Sequence, residues 1–250
     1  MKRFILMSII ILMAISTGLA EEKITGQELI KKVQDNMYSD SVKYSAEMII
    51  TVGKKIRKKE FFGYGVGTDK SFMEFTSPSR DKGKRFLMIK DNMWIYDPIE
   101  DKSIKIPDSL LKGRSFMGSD FSYRDATDNP EPEKDYKSTI IGSEKINGRD
   151  CYIVDMQAVR KKVTYPKKKV WIDKEWFTML KQNLYAKSGK LLKVMMFEDV
   201  KLVANRYYAH KIVLSNKLKK NSRTEMIMHE IDFSPDIPKN TFSLKGLKKS

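Results

Sequence analysis

Apolar side chains that recur at every second position constrain this chain more than any other feature of its sequence. The pattern opens with Tyr44, Ala46, Met48 and Ile50, and comparable runs follow at short intervals as far as Phe233. A period of two puts successive side chains on opposite faces of an extended backbone, so each run reads as a strand. The runs cover residues 42–50, 56–64, 71–76, 85–90, 93–97 and 103–106, then 136–146, 151–158, 168–173, 178–185, 191–202, 207–218 and 224–233. Turn chemistry separates them: Gly53-Lys54-Lys55, Pro78, Gly83, Asp91-Asn92, Pro98, Asn147-Gly148, Lys174-Glu175 and Ser188-Gly189. Asn-Gly is a strong two-residue hairpin signal. Links this short join antiparallel neighbours, and no helices alternate with the runs, which argues against a parallel α/β sheet. The expectation is a mainly β chain with one long, curved antiparallel sheet of about eleven strands.

Two segments depart from this period. Residues 25–37 read as a helix: Thr25 and Glu28 have the spacing of a capping box, Ile24 and Leu29 that of a hydrophobic staple. Leu29, Ile30, Val33 and Met37 recur at three- and four-residue spacing and give the helix one apolar face to lay on the sheet. Residues 107–132 are rich in Pro, Gly, Ser and Asp yet carry Leu110, Leu111, Phe116, Met117, Phe121 and Tyr123. A connection of this length and composition reads as a lid over something apolar, with short helical turns of its own.

The N-terminus has the layout of a secretory signal. Lys2 and Arg3 precede an apolar run from Phe4 to Ile15, and Gly18 and Ala20 supply the small residues of a cleavage site after Ala20. The run is too short to span a bilayer as a helix, and no cysteine follows the cleavage site to take a lipid. A periplasmic location follows as the expectation, with residues 21–250 forming a single domain, expected to be monomeric. Cys151 is the only cysteine, so the chain has no internal disulfide; a lone thiol in a strand reads as a small buried hydrophobe. The formal net charge of +16 favours anionic partners. No nucleic-acid motif accompanies it, whereas acidic lipid headgroups fit an exported chain, so peripheral membrane contact is open to it. Clusters such as Lys54, Lys55, Arg57, Lys58 and Lys59 also fit solvated strand faces that stop edge strands pairing with other chains.

No constellation for catalysis stands out. Nucleophile elbows, phosphate-cradling glycine loops and metal-ligand spacings are missing from the pattern, and His210 and His229 fall on different runs. Asp120, Asp125 and Asp128 match no calcium loop; Asp120 and Asp125 read instead as caps of short helical turns. The expectation is a protein that is not an enzyme and uses no cofactor or metal. Methionine is abundant, and Met48, Met73, Met88, Met93, Met195, Met196, Met226 and Met228 all fall in predicted strands. Such adaptable side chains suit either core filling or an apolar binding surface.

Two stretches carry a family resemblance: Gly83-Lys-Arg-Phe-Leu-Met-Ile-Lys-Asp-Asn-Met-Trp-Ile-Tyr-Asp-Pro98 and Ser115-Phe-Met-Gly-Ser-Asp-Phe-Ser-Tyr-Arg-Asp125. With the opening helix and the closing Ile237-Pro238-Lys-Asn-Thr-Phe242, the chain resembles the outer-membrane lipoprotein-sorting, LolA-like family over essentially all of the sequence after Ala20. The resemblance implies a half-open antiparallel β-barrel of about eleven strands with a helical lid, enclosing an apolar cavity for acyl chains of lipid or lipoprotein. It implies a carrier or chaperone with a membrane-protein donor or receptor; the alternative is a lipid-sensing or scaffold module bound to a membrane protein. The residues expected to line cavity and lid are Leu29, Val33, Met48, Ile50, Leu87, Ile89, Trp94, Tyr96, Phe116, Met117, Phe121 and Tyr123. Alternation alone does not tell which strand face is inside.

Overall fold

The computed structural model describes residues 24–37, 39–107, 110–111, 114–127, 132–160 and 163–248. The expected signal segment with its cleavage after Ala20, and Asp128, lie outside the described residues. Every apolar run of the sequence becomes a strand: β1 (Ser41–Val52), β2 (Lys55–Val66), β3 (Lys70–Ser77), β4 (Arg85–Ile89), β5 (Asn92–Asp97), β6 (Lys102–Lys105), β7 (Tyr136–Ile146), β8 (Arg149–Ala158), β9 (Lys167–Asp173), β10 (Met179–Tyr185), β11 (Leu191–Val203), β12 (Arg206–Asn216) and β13 (Ser222–Asp232). All thirteen join one antiparallel sheet in the order β6-β5-β4-β3-β2-β1-β13-β12-β11-β10-β9-β8-β7. The thirteen strands match the thirteen runs one for one and exceed the expected eleven by two; even the four-residue β6 pairs along its whole length with β5. The sheet does not close: β6 and β7 remain its two edges.

Register defines the inner face. Cross-strand partners run in one row from Ile50 through Thr224, Leu214, Met195, Gln182 and Val170 to Val154, so side chains from seven strands point the same way. A second row on that face, Gly63, Met73, Phe86 and Ile95, extends it to β5. The outer face is handled in two ways. Around β2 to β5, Phe72, Leu87 and Tyr96 are covered by Phe242 and Leu247 of the C-terminal segment, and Arg85 Nη1 donates to the Leu247 carbonyl at 3.2 Å. Near the middle, ion pairs from Lys211 to Glu198 and Glu225 and from Lys58 to Glu47 make it a solvated surface.

Helix α1 (Gly26–Met37) begins with the predicted capping box: the Thr25 N–H donates to Glu28 Oε2 at 2.7 Å and the Glu28 N–H to Thr25 Oγ1 at 3.2 Å. Its face of Leu29, Ile30 and Val33 is buried against Tyr136, Val154, Met156, Val170 and Ile172 of β7 to β9. Met37, the last member of the predicted face, is 42% exposed. The Gln27 side chain grips the edge strand β7: its Nε2 donates to the Tyr136 carbonyl at 3.1 Å and its Oε1 accepts from the Ser138 N–H at 3.1 Å. At Gly26 a side chain would collide with the Ser138 carbonyl, so glycine lets the helix approach β7 this closely.

The described parts of the segment between β6 and β7 lie over the inner face. They contain the expected short turns, a 3-10 turn at Phe116–Gly118 and a helix at Tyr123–Thr127. Phe116 packs with Phe75, Phe86 and Tyr123 at ring-centroid distances of 6.2, 5.1 and 5.4 Å. Leu111, Phe116 and Phe121 thereby complete a core with Met48, Ile50, Phe61, Phe75, Phe86, Met93 and Leu214.

Candidate functional site

The inner face carries two covers, one over each half, and they leave different amounts of space. Beneath α1, a cavity of about 510 Å³ opens between the helix and β8 to β10. Ile30, Val33 and Met37 of the helix and Met156, Val170 and Met179 of the strands give it apolar walls. Gln34, Gln182, Lys168, Lys31, Asp35 and Glu133 supply polar groups, and Gly67 and Thr68 of the β2–β3 turn stand at its side. The volume falls within the few hundred to a thousand Å³ of small-molecule sites, and apolar walls with few polar groups are the usual lining of such sites. Gln34 Oε1 is buried and has no hydrogen-bond partner, an acceptor that a ligand hydroxyl or amide could satisfy.

The cavity stops at an aromatic boundary. Met37, Met179, Phe197, Tyr207, Tyr208 and Ile212 enclose a void of only about 30 Å³ next to it. Tyr44 stands edge-on to Phe61 nearby, and burial pushes the phenols of Tyr44 and Tyr208 above their ordinary range. Neutral at any ordinary pH, these rings behave as packing groups.

On the loop side the space is filled and the cover is tied down by buried polar contacts. Asp125 closes a capping box with Ser122, whose N–H donates to its carboxylate at 2.6 Å while the Asp125 N–H donates to Ser122 Oγ at 3.2 Å. The same carboxylate pairs with Lys193 of β11 and accepts from the Tyr165 hydroxyl. Asp120 departs from the sequence expectation of a cap. Its carboxylate, fully buried, accepts from Ser222 Oγ at 2.6 Å and Thr224 Oγ1 at 3.2 Å and sits 3.5 Å from Lys219, which fastens the loop to β13. A motif cannot show this, because Asp120 and its partners are about a hundred residues apart.

The twelve residues read from the sequence as cavity or lid therefore separate into three places. Val33 lines the cavity, and Leu29 lies beside it in the helix-side core. Met48, Ile50, Phe116 and Phe121 are buried in the loop-side core, with Met117 and Tyr123 packed against it. Leu87, Ile89, Trp94 and Tyr96 point to the outer face and pack beneath the C-terminal segment, not into the cavity. Sequence reasoning passed over Met156, Val170, Met179, Gln34 and Gln182; the i, i+2 spacing of Val154 with Met156 and of Val170 with Ile172 marked a shared face without saying what covered it.

Burial pushes the Cys151 thiol up to about 11, so it is a buried apolar group rather than a thiolate. His210 is buried with Nδ1 3.0 Å from the Tyr208 carbonyl oxygen. Among the described residues no three His, Cys, Asp or Glu side chains gather as a metal site would require.

An open antiparallel sheet with a helix and a loop laid over its inner face, and an apolar cavity under the helix, is the LolA-like architecture. A DUF1329 family protein from Desulfovibrio piger shares it with a TM-score of 0.82 at 22% identity, over 89% of this chain and 97% of its own. A domain from Vibrio parahaemolyticus described as an outer membrane lipoprotein-sorting protein does so at 0.78 and 24% identity, over 90% and 98%. A LolA superfamily protein from Nitrosomonas europaea gives 0.74 and 19%, over 90% and 100%. Residues 67–249 match the model of a family described as uncharacterized protein-like, and the chain belongs to that family. No curated relative matches it.

Proposed function

We propose that this protein is a periplasmic lipid- or lipoprotein-binding carrier that shelters acyl chain in the cavity under α1, without catalysis. The observation that carries the reading is the apolar lining of that cavity by Ile30, Val33, Met37, Met156, Val170 and Met179. Burial of acyl methylenes there contributes about 0.8 kcal/mol each and has no directional requirement. Binding of this kind tolerates different chain lengths and releases cargo to any receptor that buries more of it. One of the structural relatives is named for outer membrane lipoprotein sorting, which supports a role at the outer membrane. Residues 21–250 would act as one binding domain after export, with a membrane protein as donor or receptor.

Native mass spectrometry with lipid extraction, on protein exported by its host and purified without detergent, tests the reading. Co-purified phospholipid or acylated peptide supports it and identifies the cargo. Protein that is always empty and takes up no fluorescent fatty-acyl probe overturns it. A second reading, a lipid-sensing or scaffold module that holds a membrane protein, draws on the loop side: a cover fixed by buried contacts at Asp120 and Asp125 suits a constant docking shape better than a gate. Stable capture of one membrane partner without lipid transfer between vesicles would favour it.

A further inference from the structure

Three hairpin tips lie side by side at one end of the sheet. The β1–β2 tip touches the β12–β13 tip through Gly53, whose N–H donates to the Asn221 carbonyl at 2.8 Å. The Lys217 N–H then donates to the Leu192 carbonyl at 2.8 Å, which joins the β10–β11 hairpin to the group. Segments 52–58, 186–191 and 216–223 together contain Lys54, Lys55, Arg57, Lys58, Lys187, Lys190, Lys217, Lys219, Lys220 and Arg223, and no carboxylate. Lys54, Lys55, Lys187, Lys190, Lys217 and Lys220 are exposed, and among the described residues they take part in no ion pair. Apolar side chains project among them: Val52, Ile56 and Leu218 are 45%, 65% and 57% exposed. Between the β1–β2 and β12–β13 tips lies an open hollow of about 520 Å³ lined by Thr51, Ser215, Asn216, Asn221, Ser222 and Arg223.

Protection of sheet edges does not account for these lysines. The strands that carry them are interior to the sheet, whose edges are β6 and β7. We propose that this end of the molecule docks on a bilayer containing anionic phospholipid, with the lysines among the headgroups and Leu218 and Ile56 entering the interface. Lysine dominates the patch, eight to two over arginine. Protein interfaces favour arginine, with its fixed planar fork, and are depleted in lysine, whereas a mobile point charge on a long stem suits a fluid layer of headgroups. The tips carry no aromatic side chain on which nucleic-acid bases could stack. Each lysine near an anionic surface strengthens binding about fivefold, so removal of four weakens it several hundredfold. The surface is separate from the cavity under α1, and the proposal stands whether or not the cavity holds lipid.

The test is co-sedimentation of the exported, processed protein with phosphatidylcholine vesicles, with and without phosphatidylglycerol. Binding that requires phosphatidylglycerol, weakens with salt, and disappears in a Lys54→Gln, Lys55→Gln, Lys217→Gln, Lys220→Gln variant of unchanged thermal stability is the expected result. In a separate Leu218→Trp variant, tryptophan emission should shift to shorter wavelength on mixing with the anionic vesicles. Equal sedimentation of parent and quadruple variant, absence of any phosphatidylglycerol requirement, or an unmoved emission from Leu218→Trp would each overturn the proposal. Loss of vesicle binding together with lysine-dependent binding to an acidic protein or to nucleic acid would overturn it in favour of that partner.

Discussion

The loop-covered and helix-covered halves of the inner face face the same physical problem and solve it differently. Over β1 to β5 the loop delivers Phe116, Phe121 and Tyr123 into a ring cluster and is held by Asp120 and Asp125 at buried sites, so that half is solid. Over β7 to β10 the cover is a helix whose buried face is Leu29, Ile30 and Val33, and about 510 Å³ remains open between its Ile30, Val33 and Met37 and the strands. An irregular segment can follow a curved surface residue by residue, whereas a regular helix touches it along one stripe. Space for a ligand remains where the cover is regular. The solid half carries stability and the helix half has room for binding.

Substitutions should separate these two roles. The largest expected effect is that of Asp125→Ala, which leaves Lys193 buried without its counter-charge and should destabilise by about 3–5 kcal/mol in urea unfolding. A loss below 1 kcal/mol would mean that the loop is not pinned there. Phe116→Ala, which empties the middle of the ring cluster, should cost about 3 kcal/mol, while acyl-probe affinity at temperatures where the protein stays folded changes little. On the helix side Gly26→Ala forces α1 away from Ser138 and should cost about 1–2 kcal/mol and alter probe affinity as well, which calorimetric titration would read. Met179→Trp, which fills the cavity from its half-buried wall, should shift stability by less than about 1 kcal/mol and abolish probe uptake. If Met179→Trp bound the probe normally while Phe116→Ala did not, the assignment of roles would be reversed.

The smallest effect concerns acid. Burial alone would raise the Asp173 carboxyl, but the Arg149 guanidinium and the N–H groups of Trp176 and Glu175 outweigh it and hold the group below the usual carboxylate range. A depressed folded value means that the stabilisation is fully present above the unfolded value near 4 and is lost as pH falls through the folded one. Thermal unfolding between neutral pH and pH 3 should therefore show a drop below about pH 4 that is shallower in Asp173→Asn. Parallel profiles for the two proteins would dismiss the contribution.

Much of this architecture could be read from the chain. Alternation located every strand, Asn147-Gly148 marked the β7–β8 hairpin, and Thr25 with Glu28 marked the start of α1. Apolar side chains in a Gly- and Asp-rich loop disclosed that it covers something. What could not be read is which face is inside. In β4 and β5 both parities are apolar, because Phe86, Met93 and Ile95 meet the loop while Leu87, Trp94 and Tyr96 meet the C-terminal segment more than a hundred residues away. Nor does any local pattern tell whether a cover fills the space beneath it, which depends on how a helix of fixed geometry meets a curved sheet.

The grip of Gln27 on β7 has a consequence for assembly. An edge strand with free N–H and carbonyl groups is a template on which another chain can crystallise as a further strand. By occupying the Tyr136 carbonyl and the Ser138 N–H, one side-chain amide acts as a chain terminator at the growing end of the sheet. The same helix roofs the cavity, so any motion that lifts it to admit a ligand also uncaps that end. Cover of the cavity and protection of the start of β7 therefore rest on one and the same element.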